Sequence, residues 1–350
     1  MWEEEPHQHH QHHHHHHHED VYIVSDDSSY VLLRPPAERR HFGPLFQDED
    51  ENGDDRRLHF QYSQCTGRRK ALCIGINYIG QSEELKGCIN DAHNVRRFLC
   101  EDYGYQYEDI VVLTDDSSNP RSIPTKENMI EAMQWLVSNA QPHDALFFYY
   151  SGHGEQTKDM NGDEQDGYND VIYPVDFQEN GPLVDNMLHD ILVKPLPPGC
   201  RLTTIFDSCH SGTALDLPYI YNHYGKIKEP GFIKKASQGL LTAFAGCGFA
   251  RAFSSAIEFM ERRLRQTKTS PADVISWSGC KDSQTSADMF EADQATGAMS
   301  YAFMTSLRQN RHQSYQQLLV NLRGMLPQHY NQTPQLSSSH PMDTRLLFIC

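Results

Sequence analysis

The 350-residue chain is short of the features that mark several large classes of protein. No stretch reaches the roughly 18 apolar residues of a membrane-spanning helix, and the N-terminal segment has no apolar core like that of a secretory signal peptide. The nine cysteines are scattered, odd in number and without a Cys-x-x-Cys pair, which disfavours a disulfide framework or a structural zinc site. We therefore expect free thiols, no membrane partner, and a cytoplasmic location with the nucleus as a second compartment.

Positive charge is scarce as well, since 47 Asp and Glu face 30 Lys and Arg, for a net charge of −17. This balance argues against nucleic acid as a partner. Residues 1–69 hold 14 acidic residues against 7 Arg and few apolar runs, so they are predicted to form a disordered acidic arm. The arm contains a His/Gln tract, residues 7–18, which is better explained as low complexity or an expression tag than as a specific metal site.

From residue 70 onward, short apolar runs alternate with amphipathic segments. Runs at 71–76, 110–113, 145–150, 202–206, 274–277 and 346–349 predict buried strands. Apolar spacing predicts helices over 89–98 and 129–137, and Ser314 with Gln317 forms a capping-box pattern ahead of a third. This alternation predicts an α/β fold with a mainly parallel central sheet and helices on both faces.

Reactive side chains follow two of the predicted strands, His153 after one and Cys209 after another. Open α/β sheets place their sites at the carboxyl ends of the strands. In extended chain, residues two apart share a face, so Ser151 should accompany His153 and Asp207 should accompany Cys209. A thiol beside an imidazole can act as a nucleophile with its acid/base partner. The pattern therefore predicts a cysteine peptidase, with Gly152, Gly154 and Gly212 leaving room for a peptide.

Two other residues compete for a role. Cys280 also follows a strand, but no His motif is tied to it by spacing, so we interpret it as an accessory or structural thiol. His210 is adjacent to Cys209 and should therefore point to the opposite face. Neither is assigned to catalysis.

Four segments carry a resemblance to a known family. They are Lys70-Ala71-Leu72-Cys73-Ile74-Gly75-Ile76-Asn77-Tyr78, Gly87-Cys88-Ile89-Asn90-Asp91-Ala92, Tyr150-Ser151-Gly152-His153-Gly154 and Asp207-Ser208-Cys209-His210-Ser211-Gly212. Over residues 68–350 the chain resembles a type I metacaspase of the fungal kind. The 56 residues from His153 to Cys209 agree with the spacing of about 50 in caspases. The resemblance implies a caspase-like three-layer sandwich and peptide cleavage after Arg or Lys by a Cys/His dyad.

The resemblance also implies a role for each matching residue. Cys209 would be the nucleophile, His153 the acid and base, and the backbone N–H groups of Gly154 and Cys209 the oxyanion donors. Asp91, Ser151, Asp207 and Cys88 would line the pocket for the basic side chain. Two acids near the nucleophile independently suit a guanidinium or ammonium group. From the residues alone, an ordinary acid at a helix start is the favoured interpretation of Asp91.

An acidic segment over 158–170 invites an EF-hand interpretation. This fails because the sixth position counted from Asp159 is Glu164, where the loop requires Gly. The resemblance instead implies Ca²⁺ activation through an oxygen cluster at Asn169, Asp185, Asn186 and Asp216. The family usually has Asp where this chain has Asn169 and Asn186, so we expect a weakened site, for which Asp170 is a substitute ligand.

Residues 217–270 interrupt the strand and helix pattern with prolines, glycines and a basic run. We expect one domain over 70–350, in which this linker separates a large-subunit-like part, 70–216, from a small-subunit-like part, 271–350. The basic run is either a solvated face or a self-processing site. In the second case Lys268 and Arg265 are the first candidates, followed by Lys234 and Lys235.

The preferred function is therefore a monomeric, self-processed cysteine endopeptidase with protein substrates, made as a zymogen and acting in stress responses or cell death as the family suggests. Two other classes stay open. One is a noncatalytic scaffold with the same fold that handles protein aggregates. The other is a metal-binding or aggregation module built around the His/Gln arm.

Overall fold

The computed structural model describes residues 22–24, 31–42, 47–49, 55–158, 168–208, 214–222, 224–227, 268–281, 297–326 and 332–350. Several residues singled out above lie outside these ranges. They are the His/Gln tract, the acidic segment 159–167, Cys209, His210, Gly212, Lys234, Lys235 and Arg265.

Short antiparallel pairs of strands come first in the chain. Strand β1 (Tyr22–Val24) pairs with β2 (Val31–Leu33), β3 (Arg39–His41) with β6 (His59–Gln61), and β4 (Gln47–Glu49) with β5 (Asp55–Arg57).

A seven-stranded sheet organises the rest. Its strands are β7 (Arg69–Gly75), β8 (Ile110–Thr114), β9 (Ala145–Ser151), β13 (Arg201–Asp207), β14 (Tyr219–Tyr221), β15 (Asp273–Lys281) and β16 (Gln332–Ser338). They lie in the order β14-β16-β15-β13-β9-β7-β8. Strands β15, β13, β9, β7 and β8 are mutually parallel, β16 pairs antiparallel with β15, and β14 pairs antiparallel with β16 at the edge. A smaller sheet contains β10 (Gly154–Lys158), β11 (Tyr168–Ile172) and β12 (Leu183–Val184).

Helices cover both faces of the large sheet, as predicted. They are α1 (Cys88–Tyr103), α2 (Lys126–Val137), α3 (Phe177–Asn180), α4 (Asp185–Leu192), α5 (Ala298–Gln309) and α6 (Tyr315–Met325). One apolar core joins α1, α5 and α6 to the sheet, and a second joins α2 and α4 to its other face. Because side chains alternate along a strand, β9 gives Tyr149 to the first core and Tyr150 to the second. The predicted α/β class is confirmed.

Local capping chemistry explains where the last of these helices begins. The Ser314 hydroxyl accepts from the Gln317 N–H at 3.1 Å, and the Gln317 side chain accepts from the Ser314 N–H at 2.9 Å. This reciprocal pair satisfies two backbone donors that a helix start otherwise leaves open. The capping box predicted from the sequence is confirmed.

One predicted strand is wrong. Residues 346–349 form no strand, although Leu347 makes an isolated bridge with Ser314. Their backbone instead binds two distant segments. The Leu347 N–H donates to the Leu33 carbonyl, and the Phe348 N–H donates to the Gln313 carbonyl. The position beside β15 is taken by β16, a largely polar segment that lies between β15 and the edge strand β14. An apolar run indicates burial, and here burial comes without strand pairing.

The core begins before residue 70. Phe60 is 4% exposed and packs in the first apolar core with Tyr62, and the Ser63 N–H donates to Asp273 at 2.8 Å. The end of the predicted disordered arm, residues 59–69, therefore lies within the folded domain. Within the described ranges, no helix combines the length and apolar character needed to cross a membrane.

Candidate active site

His153 lies in a tight connection between β9 and β10. Strand β9 ends at Ser151, and Gly152 then passes so close to two tyrosines that a Cβ on it would lie 2.7 Å from the Tyr150 Oη and 3.0 Å from the Tyr78 Oη. Only glycine fits this position without moving the tyrosines. Room at Gly152 was predicted from the sequence, but neighbouring hydroxyl groups already fill it.

The histidine ring is oriented from two sides. Its Nε2 lies 2.7 Å from the Glu83 carbonyl oxygen, and the ring packs against Tyr78 with centroids 4.5 Å apart. A carbonyl oxygen can only accept, so Nε2 must carry the proton. In the neutral ring, Nδ1 is then the nitrogen that can take a proton.

Two buried phenols fix the backbone of His153. Its N–H donates to the Tyr78 hydroxyl at 3.0 Å, and its carbonyl accepts from the Tyr150 hydroxyl at 2.7 Å. Tyr78 in turn donates to the Tyr173 carbonyl at 2.7 Å. Burial raises the pKa of both Tyr78 and Tyr150 well above its ordinary value, so both phenols stay neutral donors. No local sequence pattern indicates these contacts or the one with the Glu83 carbonyl.

Gly154 starts β10 opposite Ile172 of β11. The Tyr173 N–H donates to the His153 carbonyl at 3.2 Å, which makes residues 153 and 173 a hydrogen-bonded pair. Such pairs alternate with non-hydrogen-bonded ones in an antiparallel ladder, so the Gly154 N–H points away from β11. It is therefore available to an oxyanion, the role predicted for it.

The strand that leads to Cys209 ends beside the strand that leads to His153. Asp207, the last residue of β13, pairs with Ser151, the last residue of β9. The predicted meeting of these two strand ends is confirmed, whereas Cys209 itself lies outside the described residues.

Asp207 is almost fully buried and receives several hydrogen bonds. Its carboxylate accepts from the Tyr149 hydroxyl at 2.9 Å and from the backbone N–H groups of Met299 at 2.8 Å and Ser300 at 3.0 Å. These N–H groups belong to the first turn of α5, where a carboxylate is stabilised by the helix dipole. Burial raises the pKa of Asp207, and the hydrogen bonds from Ser300, Tyr149 and Met299 oppose the rise.

Asp91 lies in the first turn of α1, as predicted. Its Oδ2 is buried and has no hydrogen-bond partner among the residues that the structure describes. Burial, followed by the nearby charge of Asp207, raises the pKa of Asp91 to about 7. Gly297 closes over it, because a Cβ there would lie 2.2 Å from Oδ2. The two carboxyl groups thus share one buried site but differ in hydrogen bonding.

Cys88 and Ser151 complete the set of predicted pocket residues. Both are fully buried. Burial raises the pKa of the Cys88 thiol to about 12, and the Ser151 hydroxyl offsets only part of that rise. Cys88 is therefore a neutral thiol and not a rival nucleophile. The structure brings all four predicted pocket residues together and adds Tyr149, Gly297, Met299 and Ser300, which the sequence analysis missed because they come from distant segments.

The predicted cation ligands meet at the start of α4. The Asp185 carboxylate accepts from the Asp170 N–H and the Asn186 N–H, each at 2.7 Å. Burial raises the pKa of Asp185 to about 6. The Lys268 ammonium contacts both the Asn186 side-chain oxygen and the Asp216 carboxylate. Two of the four predicted ligands therefore contact one cation that belongs to the protein itself, and the charge of that cation also acts on a third, Asp185.

The fourth predicted ligand, Asn169, lies next to Asp170 on β11. Its side-chain oxygen is buried and has no hydrogen-bond partner in the described part of the chain. The substitute ligand Asp170 is engaged elsewhere, because it accepts from the Gln156 amide at 3.1 Å. Within the described ranges no group of three or more His, Cys, Asp or Glu side chains is arranged to hold a metal ion. Two carboxylates with two amide oxygens nevertheless fit Ca²⁺, which binds both oxygen types.

A likeness to solved structures concerns the fold alone. A crystal structure of a protein from Geobacter sulfurreducens superposes with a TM-score of 0.51 at 20% sequence identity, covering 81% of this chain and 97% of that one.

Sequence relatives are much closer. Residues 69–218 match the family model for the metacaspase, peptidase C14 domain. The chain is 58% identical over 331 residues to Metacaspase-1 of Cryptococcus neoformans var. neoformans serotype D, covering 90% of this chain and 72% of the relative. It is 60% identical over 306 residues to Metacaspase-1A of Neurospora crassa, covering 83% and 67%. Taken with the α/β fold, these matches show that the chain belongs to the fungal type I metacaspases, a family of cysteine peptidases.

Proposed function

We propose that the protein is an endopeptidase that cleaves after Arg or Lys, with Cys209 as nucleophile and His153 as acid and base. It is activated by Ca²⁺ and processes itself, and it acts in stress responses or cell death. The observation that carries the proposal is the pair of buried carboxyl groups, Asp91 and Asp207, at the strand ends that also lead to His153 and Cys209. We also propose that the protein is a monomer located in the cytoplasm, with the nucleus as a second compartment.

Catalysis uses the tautomer that the Glu83 carbonyl fixes. His153 Nδ1 takes the Cys209 thiol proton, and the thiolate attacks the peptide carbonyl carbon. The backbone N–H groups of Gly154 and Cys209 stabilise the resulting oxyanion. The imidazolium then gives its proton to the leaving amine as the C–N bond breaks and a thioester forms. In the second half, His153 takes a proton from water as the hydroxide attacks the thioester, the C–S bond breaks to release the acid product, and the imidazolium returns its proton to the Cys209 thiolate.

Specificity for a basic side chain follows from the unequal pair of carboxyl groups. Asp207 already receives hydrogen bonds from Tyr149 and α5, whereas Asp91 holds an oxygen without a described partner. A guanidinium or ammonium group supplies the missing donors and the missing positive charge. An acidic side chain would face two like charges in a buried site.

Calcium would be held by Asn169, Asp185, Asn186 and Asp216. It would supply positive charge that links the start of α4 to the segment around Asp216, and it takes no part in the chemical steps. With only two carboxylates among the four ligands, we expect a weaker site than one with four.

A fluorogenic panel of Arg, Lys and Asp peptides, with and without calcium, tests the proposal. We expect turnover of Arg and Lys peptides only, in calcium, and none by Cys209→Ala. An Asp peptide cleaved as fast as the Arg peptide would contradict the pocket assignment, and full activity in a chelator would contradict the calcium assignment. Absence of turnover under all conditions would favour the noncatalytic scaffold. Deletion of residues 1–69 is unsuited to testing the arm, because residues 59–69 are part of the folded domain; a deletion of residues 1–21 is the suitable variant.

A further inference from the structure

Lys268 makes contacts through both its side chain and its backbone. Its ammonium contacts the Asn186 side-chain oxygen and forms an ion pair with Asp216, and its side chain is only 15% exposed. Its backbone carbonyl lies 3.1 Å from the His189 Nε2, which must donate because a carbonyl only accepts. Both Asn186 and His189 belong to α4. The residue is therefore anchored, side chain and backbone, to the helix that begins the proposed cation site.

The oxygens around Lys268 are those that the proposed function assigns to calcium. An ammonium group and Ca²⁺ both seek carboxylate and amide oxygens, but Ca²⁺ carries twice the charge and takes six to eight ligands, whereas an ammonium has three donors. The Lys268 ammonium contacts Asn186 and Asp216, and its charge opposes the burial-driven rise in the pKa of Asp185. Three of the four proposed ligands therefore already interact with an internal cation.

We infer that Lys268 and a divalent cation are alternative occupants of this cluster, so that binding of the cation releases the Lys268 side chain. The inference rests on the proposed function, because it takes the cation site from there and names how the site is regulated. One consequence concerns the peptide bond after Lys268, the first predicted processing position. A basic side chain buried in the cluster cannot enter a specificity pocket, so this bond is protected until the cation displaces Lys268.

Direct cation binding tests the exchange without any need for activity. Calcium is titrated calorimetrically into the full chain carrying Cys209→Ala, and into the same chain with Lys268→Met added. Because Met keeps most of the stem and removes the competing charge, we expect calcium to bind about tenfold more tightly or better. Lys268→Arg, which keeps the charge, should not gain affinity.

The matched control is Lys194→Met in the same Cys209→Ala chain. Lys194 follows α4 and pairs with Asp190 in an exposed salt bridge, so it brings a similar loss of charge near the same helix without touching the cluster. Its calcium affinity should equal that of the parent. A gain as large as that of Lys268→Met would mean that general charge, not occupancy, sets the affinity, and would overturn the inference.

Added trypsin gives an independent readout of the release. In the Cys209→Ala chain, calcium should accelerate cleavage after Lys268 about tenfold or more, because the fraction of chains with a released side chain rises. Cleavage after the exposed Lys226 should not change. Equal cleavage after Lys268 with and without calcium would overturn the inference.

The outcomes separate this inference from the proposed function. If the parent and Lys268→Met bind calcium equally, the exchange is wrong while the calcium site stands. If neither variant binds calcium, both the site and the exchange are wrong. Turnover of Arg peptides by the active chain decides the peptidase assignment independently of either result.

Discussion

Strand β13 begins and ends with a charged residue, and the two ends differ in how far neighbouring groups compensate that charge. Arg201, at the amino end, and Asp207, at the carboxyl end, are both buried. Around Arg201, Asp273 supplies a complementary charge and the Ile349 carbonyl supplies a further acceptor. Around Asp207 a second carboxyl group, Asp91, adds charge of the same sign.

The amino end is a closed ion pair. Arg201 donates to Asp273 Oδ2 through Nε at 3.1 Å and Nη2 at 2.7 Å, and its Nη1 donates to the Ile349 carbonyl. His340 Nε2 lies 3.1 Å from the other Asp273 oxygen. Despite complete burial, Arg201 and then His340 lower the pKa of Asp273 to about 2. This cluster joins β13, β15 and the C-terminal segment.

At the carboxyl end of β13 no positive group compensates the buried carboxyl groups among the described residues, and the pKa values of Asp91 and Asp207 are raised. Proteins tolerate an uncompensated buried charge where it serves a ligand, whereas a structural cluster is neutralised internally. We therefore assign the closed end to holding the fold and the open end to the proposed substrate pocket. Substitutions that remove a compensating group or a charge at one end test this contrast.

The largest effect is expected at the closed end, from Asp273→Asn. The change leaves Arg201 buried without its counter-charge, so the free energy of unfolding should fall by about 3–5 kcal/mol, as measured by urea denaturation. Because the folded pKa of Asp273 lies below its unfolded value, this stabilisation is present above about pH 4 and lost as the pH falls toward about 2. The difference in free energy of unfolding between the parent and the variant should therefore shrink as the pH falls from about 4 toward about 2.

Lys194→Met is the control, because its salt bridge with Asp190 is exposed. It should change the free energy of unfolding by less than about 0.5 kcal/mol. A loss of under about 1 kcal/mol from Asp273→Asn would contradict a structural role for the closed pair.

At the open end, Asp91→Ala and Asp207→Ala should each lower kcat/KM for an Arg peptide by about 100-fold, because a charge-assisted contact is lost. Their stabilities should differ. Asp207→Ala removes the acceptor of three donors and should cost about 1–3 kcal/mol. Asp91→Ala should change stability little, because the buried Asp91 Oδ2 has no hydrogen-bond partner among the described residues. Unchanged turnover by both variants would exclude this pocket, and equal destabilisation would remove the distinction between the two acids.

The sequence predicted the open end better than the closed one. His153 and Asp207 follow apolar runs that can be recognised as strands, and Asp91 begins a periodic helix. Arg201 and Asp273 also flank apolar runs, but a charge before a strand normally indicates solvent, and nothing local shows that the two pair. The contact between His153 and the Glu83 carbonyl likewise depends on tertiary structure and has no local sequence pattern. Strand β16 was not predicted because its composition is largely polar, although it pairs with β15 along its whole length.

A smaller effect concerns pH. With a pKa of about 7, Asp91 is neutral in acid and charged above neutrality, so kcat/KM for Arg peptides should rise with pH through about 7. Dividing the parent profile by that of Asp91→Asn removes the titration of the catalytic dyad. The quotient should fall about tenfold from pH 8 to pH 6. A quotient that is constant over this range would show that Asp91 does not titrate there.

The same pKa has a consequence for stability with the opposite sign to that of Asp273. The folded pKa of Asp91 exceeds the unfolded value of 3.8, so its contribution is fully present below about pH 4 and is lost as the pH rises through about 7. The melting temperature of the parent should therefore fall more than that of Asp91→Asn between these limits. Identical slopes in the two proteins would contradict the raised pKa.

The smallest effect is expected from Tyr149→Phe, which takes one donor from the open end without changing a charge. The Tyr149 hydroxyl donates to Asp207 at 2.9 Å, while Met299 and Ser300 continue to donate to the same carboxylate. The free energy of unfolding should fall by about 1 kcal/mol. Since the lost hydrogen bond favours the ionised form, the pKa of Asp207 should rise further, and KM for Arg peptides should rise with kcat little changed. A fall in kcat with unchanged KM would mean that Tyr149 supports the catalytic step instead of the pocket, and the two ends of β13 would then differ in more than their compensation of charge.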